Sequence, residues 1–140
     1  MSEGHDDEWL RRFTPREWVR ASMGELEQAR RAYTSKNGRA GLAGCRRAAG
    51  VALNGVLAAT PSPDPAYGRS YMDHLNGLSR DETAPETVRA AARLLLETPL
   101  PGGEIVALRT ATSDARALDA AETVMAHAYA LVVRSEASGV

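Results

Sequence analysis

The chain has 140 residues, a formal net charge of −1, 44% hydrophobic and 25% charged residues, which suits one domain burying about two thirds of the surface its unfolded chain exposes. Balanced charge at average apolar content excludes a disordered tail. No run approaches the roughly 18 apolar residues of a membrane span, and the acidic opening Met1-Ser2-Glu3-Gly4-His5-Asp6-Asp7-Glu8 is the reverse of a secretory leader, so a cytoplasmic protein is expected.

Only Lys36 among the 17 basic residues is a lysine, and alanine fills 25 positions. Both biases favour helix. Residues 1–13 read as a flexible acidic segment. Thr14-Pro15-Arg16-Glu17 then forms a capping box with proline at the first helical position. Behind it Trp18, Val19, Met23, Leu26, Ala29 and Tyr33 recur at helical steps, ending near Ser35 because Ser35-Lys36-Asn37-Gly38 carries the Asn-Gly chemistry of a left-handed turn.

A second helix is predicted from about Arg39 to Ala59, with Leu42, Cys45, Ala49, Leu53 and Val56 as its stripe. The short connection makes the two helices antiparallel. Gly41, Gly44, Gly50 and Gly55 each cost up to about 1 kcal/mol against alanine, so something must compensate. Close approach of another backbone is one reading; a phosphate cradle at Gly38–Gly44, without the preceding strand of a nucleotide fingerprint, is the other.

Three alternating prolines in Thr60–Gly68 forbid helix. A short helix follows over Arg69–Leu78. Thr83-Ala84-Pro85-Glu86 offers another cap, opening a helix with Val88, Ala91, Ala92, Leu95 and Leu96 that stops before Pro99. Residues 98–112, including Glu104–Arg109, read as an ordered loop. The last helix is predicted from Thr112 or Ser113 to about Arg134, with Leu118, Ala121, Met125, Ala128, Leu131 and Val132 as its stripe, and residues 136–140 as a frayed tail. The sum is an all-α domain over 14–135: an antiparallel four-helix bundle with one additional short helix.

Several residues carry candidate chemistry. Between Trp9 and Gly50 ten basic residues face three acidic ones, whereas residues 51–140 hold seven basic and eleven acidic. The basic hairpin, with Arg30, Arg31, Lys36, Arg39, Arg46 and Arg47, suits either a phosphate backbone or the acidic face of a partner subunit. Asn54 interrupts an apolar run and must find a partner in the core or line a cavity. Tyr67 and Tyr71 flank Arg69 and suit stacking on a ring or packing on the bundle. Cys45 lies in an apolar stripe, as an inert buried thiol does. With no second cysteine there is no internal disulfide, and three scattered histidines without metal-ligand spacing give neither a metal site nor a cofactor motif.

The segments Gly24-Glu25-Leu26-Glu27-Gln28-Ala29-Arg30-Arg31-Ala32-Tyr33, Ala48-Ala49-Gly50-Val51-Ala52-Leu53-Asn54-Gly55-Val56-Leu57, His74-Leu75-Asn76-Gly77-Leu78 and Ala117-Leu118-Asp119-Ala120-Ala121-Glu122, in that order around a proline-rich loop, resemble the HEPN superfamily, the higher eukaryote and prokaryote nucleotide-binding domains. The resemblance covers about residues 14–134. It implies a dimeric helical bundle associated with nucleotide or RNA chemistry. Active members are metal-independent ribonucleases with an Arg, four to six residues, then a His, a spacing that Arg69-Ser70-Tyr71-Met72-Asp73-His74 matches. In that reading Arg69 positions phosphate and His74 transfers the proton. A five-residue step puts the two about 140° apart on a helix, so they need a helix end or a second subunit to converge.

The expectation is therefore a homodimeric binding or accessory module for a nucleotide, RNA or partner protein. Its surface would be drawn from Arg46, Arg47, Asn54, Tyr67, Arg69, Tyr71 and His74. A ribonuclease using Arg69 and His74, or a structural subunit without ligand, are the alternatives.

Overall fold

Thr14 opens the first long helix, α1 (Pro15–Thr34), through the predicted capping box: its hydroxyl accepts from the Glu17 N–H at 3.1 Å, and its own N–H donates to the Glu17 carboxylate at 2.8 Å. The structure, a computed structural model, describes residues 8–99 and 111–138. Beyond α1 it contains α2 (Gly38–Ala59), α3 (Tyr71–Ser79), α4 (Glu86–Glu97) and α5 (Ala111–Ser138), with 3-10 turns at Glu8–Arg12 and Pro65–Tyr67. Among the described residues there is no strand, and the fold is an all-α helical bundle. Residues 1–7 and the loop segment Glu104–Arg109 lie outside the described residues.

The expected flexible start is corrected from Glu8 onward. Leu10 is 6% exposed, and its carbonyl accepts the indole N–H of Trp18 at 2.8 Å. Phe13, just before the cap, meets the Trp18 ring edge-on at 4.8 Å between centroids, and Trp9 meets it at 6.1 Å. A hydrophobic staple across the helix start thus folds the preceding turn onto the bundle. The other end is corrected in the same way. α5 stays helical to Ser138, and Glu136 pairs with Arg16 at 2.8 Å.

α1 and α2 meet over the largest helix pair interface. The left-handed residue between them is Lys36, with φ 62°, and neither Asn37 nor Gly38. Asn37 instead caps α2, its side-chain oxygen accepting from the Ala40 N–H at 3.1 Å. α2 is the centre of the molecule, with residues 48–55 all buried. A helix enclosed on every side needs small residues, which is what its glycines provide. A Cβ on Gly44 would lie 2.8 Å from Ala29 Cβ, and one on Gly55 would lie 2.7 Å from the Pro15 carbonyl oxygen. Gly38, Gly41 and Gly44 are buried within the helix, with Gly41 under the Tyr33 ring, so this stretch is packing and no loop cradle.

The direction of each helix follows from its contacts. Arg16 pairs with Glu136 and Arg30 with Glu122, so α5 runs antiparallel to α1. Arg46 of α2 reaches the last carbonyls of α4, which sets the C-terminal end of α4 beside the first half of α2. The four long helices therefore alternate in direction, with α2 and α5 meeting across the diagonal. Alanines 48 and 52 on α2, and 117, 120, 121 and 128 on α5, permit that approach. One predicted cap fails: the N-cap of α4 is Pro85, whose side chain has no polar atom, and Thr83 lies two residues outside the helix start with its hydroxyl donating to Asp81 at 2.5 Å.

Candidate functional site

Ser70 starts α3 with its own capping box, accepting from the Asp73 N–H at 3.0 Å while Asp73 accepts from the Ser70 N–H at 3.3 Å. That start points His74, one turn on, into the core. His74 is 0% exposed and Asn54 is 1% exposed. His74 Nδ1 lies 2.6 Å from the Tyr67 carbonyl, which only accepts, so Nδ1 carries a proton. Nε2 lies 2.8 Å from Asn54 Oδ1. A doubly protonated ring donates to that oxygen as it stands. A neutral ring requires the amide turned end for end, so that its N–H donates to Nε2. Burial depresses the His74 pKa, only partly offset by its bond to the Tyr67 backbone and by Asp73, and so favours the neutral pairing.

This arrangement places His74 in the core and not beside Arg69 at the surface. Both His74 nitrogens are used inside the core, and no atom of the ring reaches solvent. Arg69 is exposed, outside the helix start. The pair matches a ribonuclease spacing in sequence, yet a proton donor without access to substrate transfers nothing. His74 instead fastens the proline loop: it holds Tyr67 from below, while the Tyr67 hydroxyl donates to Asp81 Oδ2 at 2.7 Å. Burial, with Asp81 beside it, pushes the Tyr67 phenol well above its ordinary pKa. Burial opposes ionisation of Asp81, but the Thr83 and Tyr67 hydroxyls outweigh it and hold the carboxyl below its usual value. His127 on α5 faces the same carboxylate and is lowered chiefly by burial.

The expected binding set is dispersed. Arg46 spends its guanidinium on the C-terminus of α4, with Nε donating to the Leu95 carbonyl at 2.8 Å and Nη2 to Thr98 at 3.0 Å and Leu96 at 3.4 Å. Arg47 pairs with Glu25 at 2.7 Å, and Arg30 with Glu122. Two charges of the basic hairpin, Arg30 and Arg47, are thus paired within the chain. Asn54 and Tyr67 are parts of the loop anchor, and Cys45, pushed up to about 11 by burial, is inert.

Arg69 and Tyr71 remain on the surface, joined by a residue the sequence reading missed. Trp9, Arg69, Ser70 and Tyr71 line a cleft of about 360 Å³. A second hollow of about 510 Å³ shares Trp9 and Arg69 and runs along Pro61, Pro63 and Pro65. Trp9 arrives from the N-terminal 3-10 turn, and its signal was the apolar spacing of Trp9, Leu10 and Phe13 before the cap. Among the described residues no three His, Cys, Asp or Glu side chains gather as a metal site requires, and no helix is long and apolar enough to cross a membrane. Comparison of the chain with protein-family models, with curated proteins and with solved structures finds no match.

Proposed function

We propose that the chain is a HEPN-like binding module of the cytoplasm that holds a nucleotide unit, free or within single-stranded RNA, and performs no cleavage through Arg69 and His74. The observation that carries this reading is that Trp9, Arg69 and Tyr71 line one open surface cleft of about 360 Å³. The chemistry fits: an aromatic face stacks on a base, a contact worth about 1–3 kcal/mol, and the Arg69 side chain adds positive charge to the lining of the same cleft. The buried, saturated His74 supports binding over catalysis, since the loop it fastens carries Arg69 into position.

Titration with mononucleotides, followed by tryptophan fluorescence, and with a labelled single-stranded RNA, followed by anisotropy, tests the reading. Arg69→Ala and Trp9→Phe are expected to weaken binding about tenfold each, in line with loss of one charge-assisted contact or one stacking face. Arg47→Ala serves as the basic control and is expected to change little. Binding of RNA but not of mononucleotides assigns the strand as ligand. Absence of binding to both overturns the reading in favour of a structural or protein-partner role.

A further inference from the structure

The space beyond the cleft holds a polar group that stacking and positive charge leave unused. Trp9 and Arg69 line both the cleft and the second hollow, so a base stacked on Trp9 has room to turn one edge toward the proline loop, where Ser62 and Asp64 alternate with Pro61, Pro63 and Pro65. Among the described residues lining the two spaces, Asp64 is the one carboxylate and the one side chain that only accepts hydrogen bonds. It is also held. Its backbone sits between two prolines, each of which fixes its own φ at about −65°, and its Oδ1 accepts the Ala66 N–H at 2.9 Å as the cap of the 3-10 turn Pro65–Tyr67. That turn is itself tied down by His74 at the Tyr67 carbonyl and by Asp81 at the Tyr67 hydroxyl. A carboxylate offers about four lone-pair sites, so the cap leaves others open, and Asp64 is exposed. An acceptor fixed before the ligand arrives loses little freedom on binding.

We propose, resting on the nucleotide reading above, that Asp64 reads the base at this site and selects guanine. Guanine is the base whose N1–H and N2–H donors stand side by side, the pattern that a carboxylate accepts with two parallel hydrogen bonds. Adenine brings a bare N1 acceptor to the same place, where its lone pair meets the negative oxygens. Cytosine sets an acceptor beside its N4 donor, and uracil offers a single N–H between two carbonyls, so neither fills both positions. The carboxylate also repels the ligand's phosphate, and Arg69, which lines both spaces, offsets that repulsion with the opposite charge. Ligand selection at this site therefore follows from the proline loop, which sets one rigid acceptor beside the stacking surface of Trp9.

Titration of the full chain with GMP, AMP and IMP, followed by tryptophan fluorescence, tests it, with the labelled RNA tetramers UUGU and UUAU followed by anisotropy in parallel. GMP is expected to bind at least about tenfold more tightly than AMP, the discrimination of one two-point base contact. IMP, which keeps the N1–H and lacks the amino group, is expected to fall between them, and UUGU to exceed UUAU by a similar factor. Asp64→Asn keeps the cap on Ala66, because asparagine caps as well as aspartate does, and its circular dichroism is expected to match wild type. In that variant the ratio of GMP to AMP affinity is expected to fall toward one. Probes that bind without a guanine preference, or a preference that survives Asp64→Asn, overturn the role of Asp64 while the nucleotide reading stands. Binding of none of these probes overturns both, which keeps the two failures apart.

Discussion

Replacing His74 by alanine is expected to unfold the loop anchor, and its magnitude can be worked from the geometry. The ring makes two hydrogen bonds, at 2.6 and 2.8 Å, to groups that are themselves inside the protein. Truncation leaves the Tyr67 carbonyl and the Asn54 amide without partners, at about 1–3 kcal/mol each. The void left by the imidazole adds about 1–2 kcal/mol, less if water enters it. The total of about 3–8 kcal/mol is a large share of the 5–15 kcal/mol by which domains are ordinarily stable. At about 3–4 °C per kcal/mol for a chain of this size, the melting temperature falls by roughly 10–30 °C. Urea unfolding of both proteins is the assay.

The pH dependence supplies an independent sign. The folded-state pKa of His74 is lowered, so in acid the unfolded chain binds the proton that the folded chain resists. Stability is then full above the unfolded value of about 6.5 and is lost as pH falls below it. His127 is shifted in the same direction and contributes with the same sign. His74→Gln in a His127→Gln background should flatten the slope between about pH 5 and 7. A His74→Ala protein within 1 kcal/mol of wild type, an order-of-magnitude bound set by one hydrogen bond, would refute the reasoning and return His74 to the surface chemistry its spacing suggests.

Glycine-to-alanine changes should divide by location. Gly44→Ala drives a methyl to 2.8 Å from Ala29 Cβ, and overpacking of about 1–3 kcal/mol should outweigh the helix-propensity gain, whereas Gly24→Ala meets nothing and should stabilise by up to about 1 kcal/mol in thermal melts. Arg46→Met removes the donors to the α4 carbonyls and should cost about 1–3 kcal/mol, with hydrogen-exchange protection lost first at the end of α4. Tyr67→Phe deletes one donor to Asp81, whose folded pKa should rise toward its ordinary value; the stability that Asp81 loses as pH falls through about 4 should shrink accordingly, as acid titration of the two proteins would measure.

The helices themselves were legible from local chemistry. Thr14, the helical spacing of Trp18 through Tyr33, the prolines of 60–68 and the stop before Pro99 act within a turn or two of their own positions, so the sequence by itself determined an all-α chain of four long helices and a short one. Its four interior glycines also announced close packing on α2, since only a neighbour can offset their cost. The sequence misled at two helix ends, at one of them through a partner distant along the chain. Thr83 looked like a cap, but the chain enters α4 two residues later, at Pro85. Glu136 looked like a frayed tail until Arg16 reached it across the bundle.

Candidate sites were less legible for the same reason. Arg46, Arg47, Asn54 and His74 advertise chemistry only while their neighbours are unknown, and a guanidinium or imidazole is equally suited to capping carbonyls or to holding a ligand. The bundle resolved that choice by burying His74 between α2 and the proline loop, and by carrying Arg46 to the end of α4. It also brought Trp9, sixty residues away in sequence, beside Arg69. Spacing determines which face of a helix a side chain occupies; only tertiary packing decides whether that face meets water, a core, or another reactive group, because those contacts are made between elements whose separation along the chain carries no local signal.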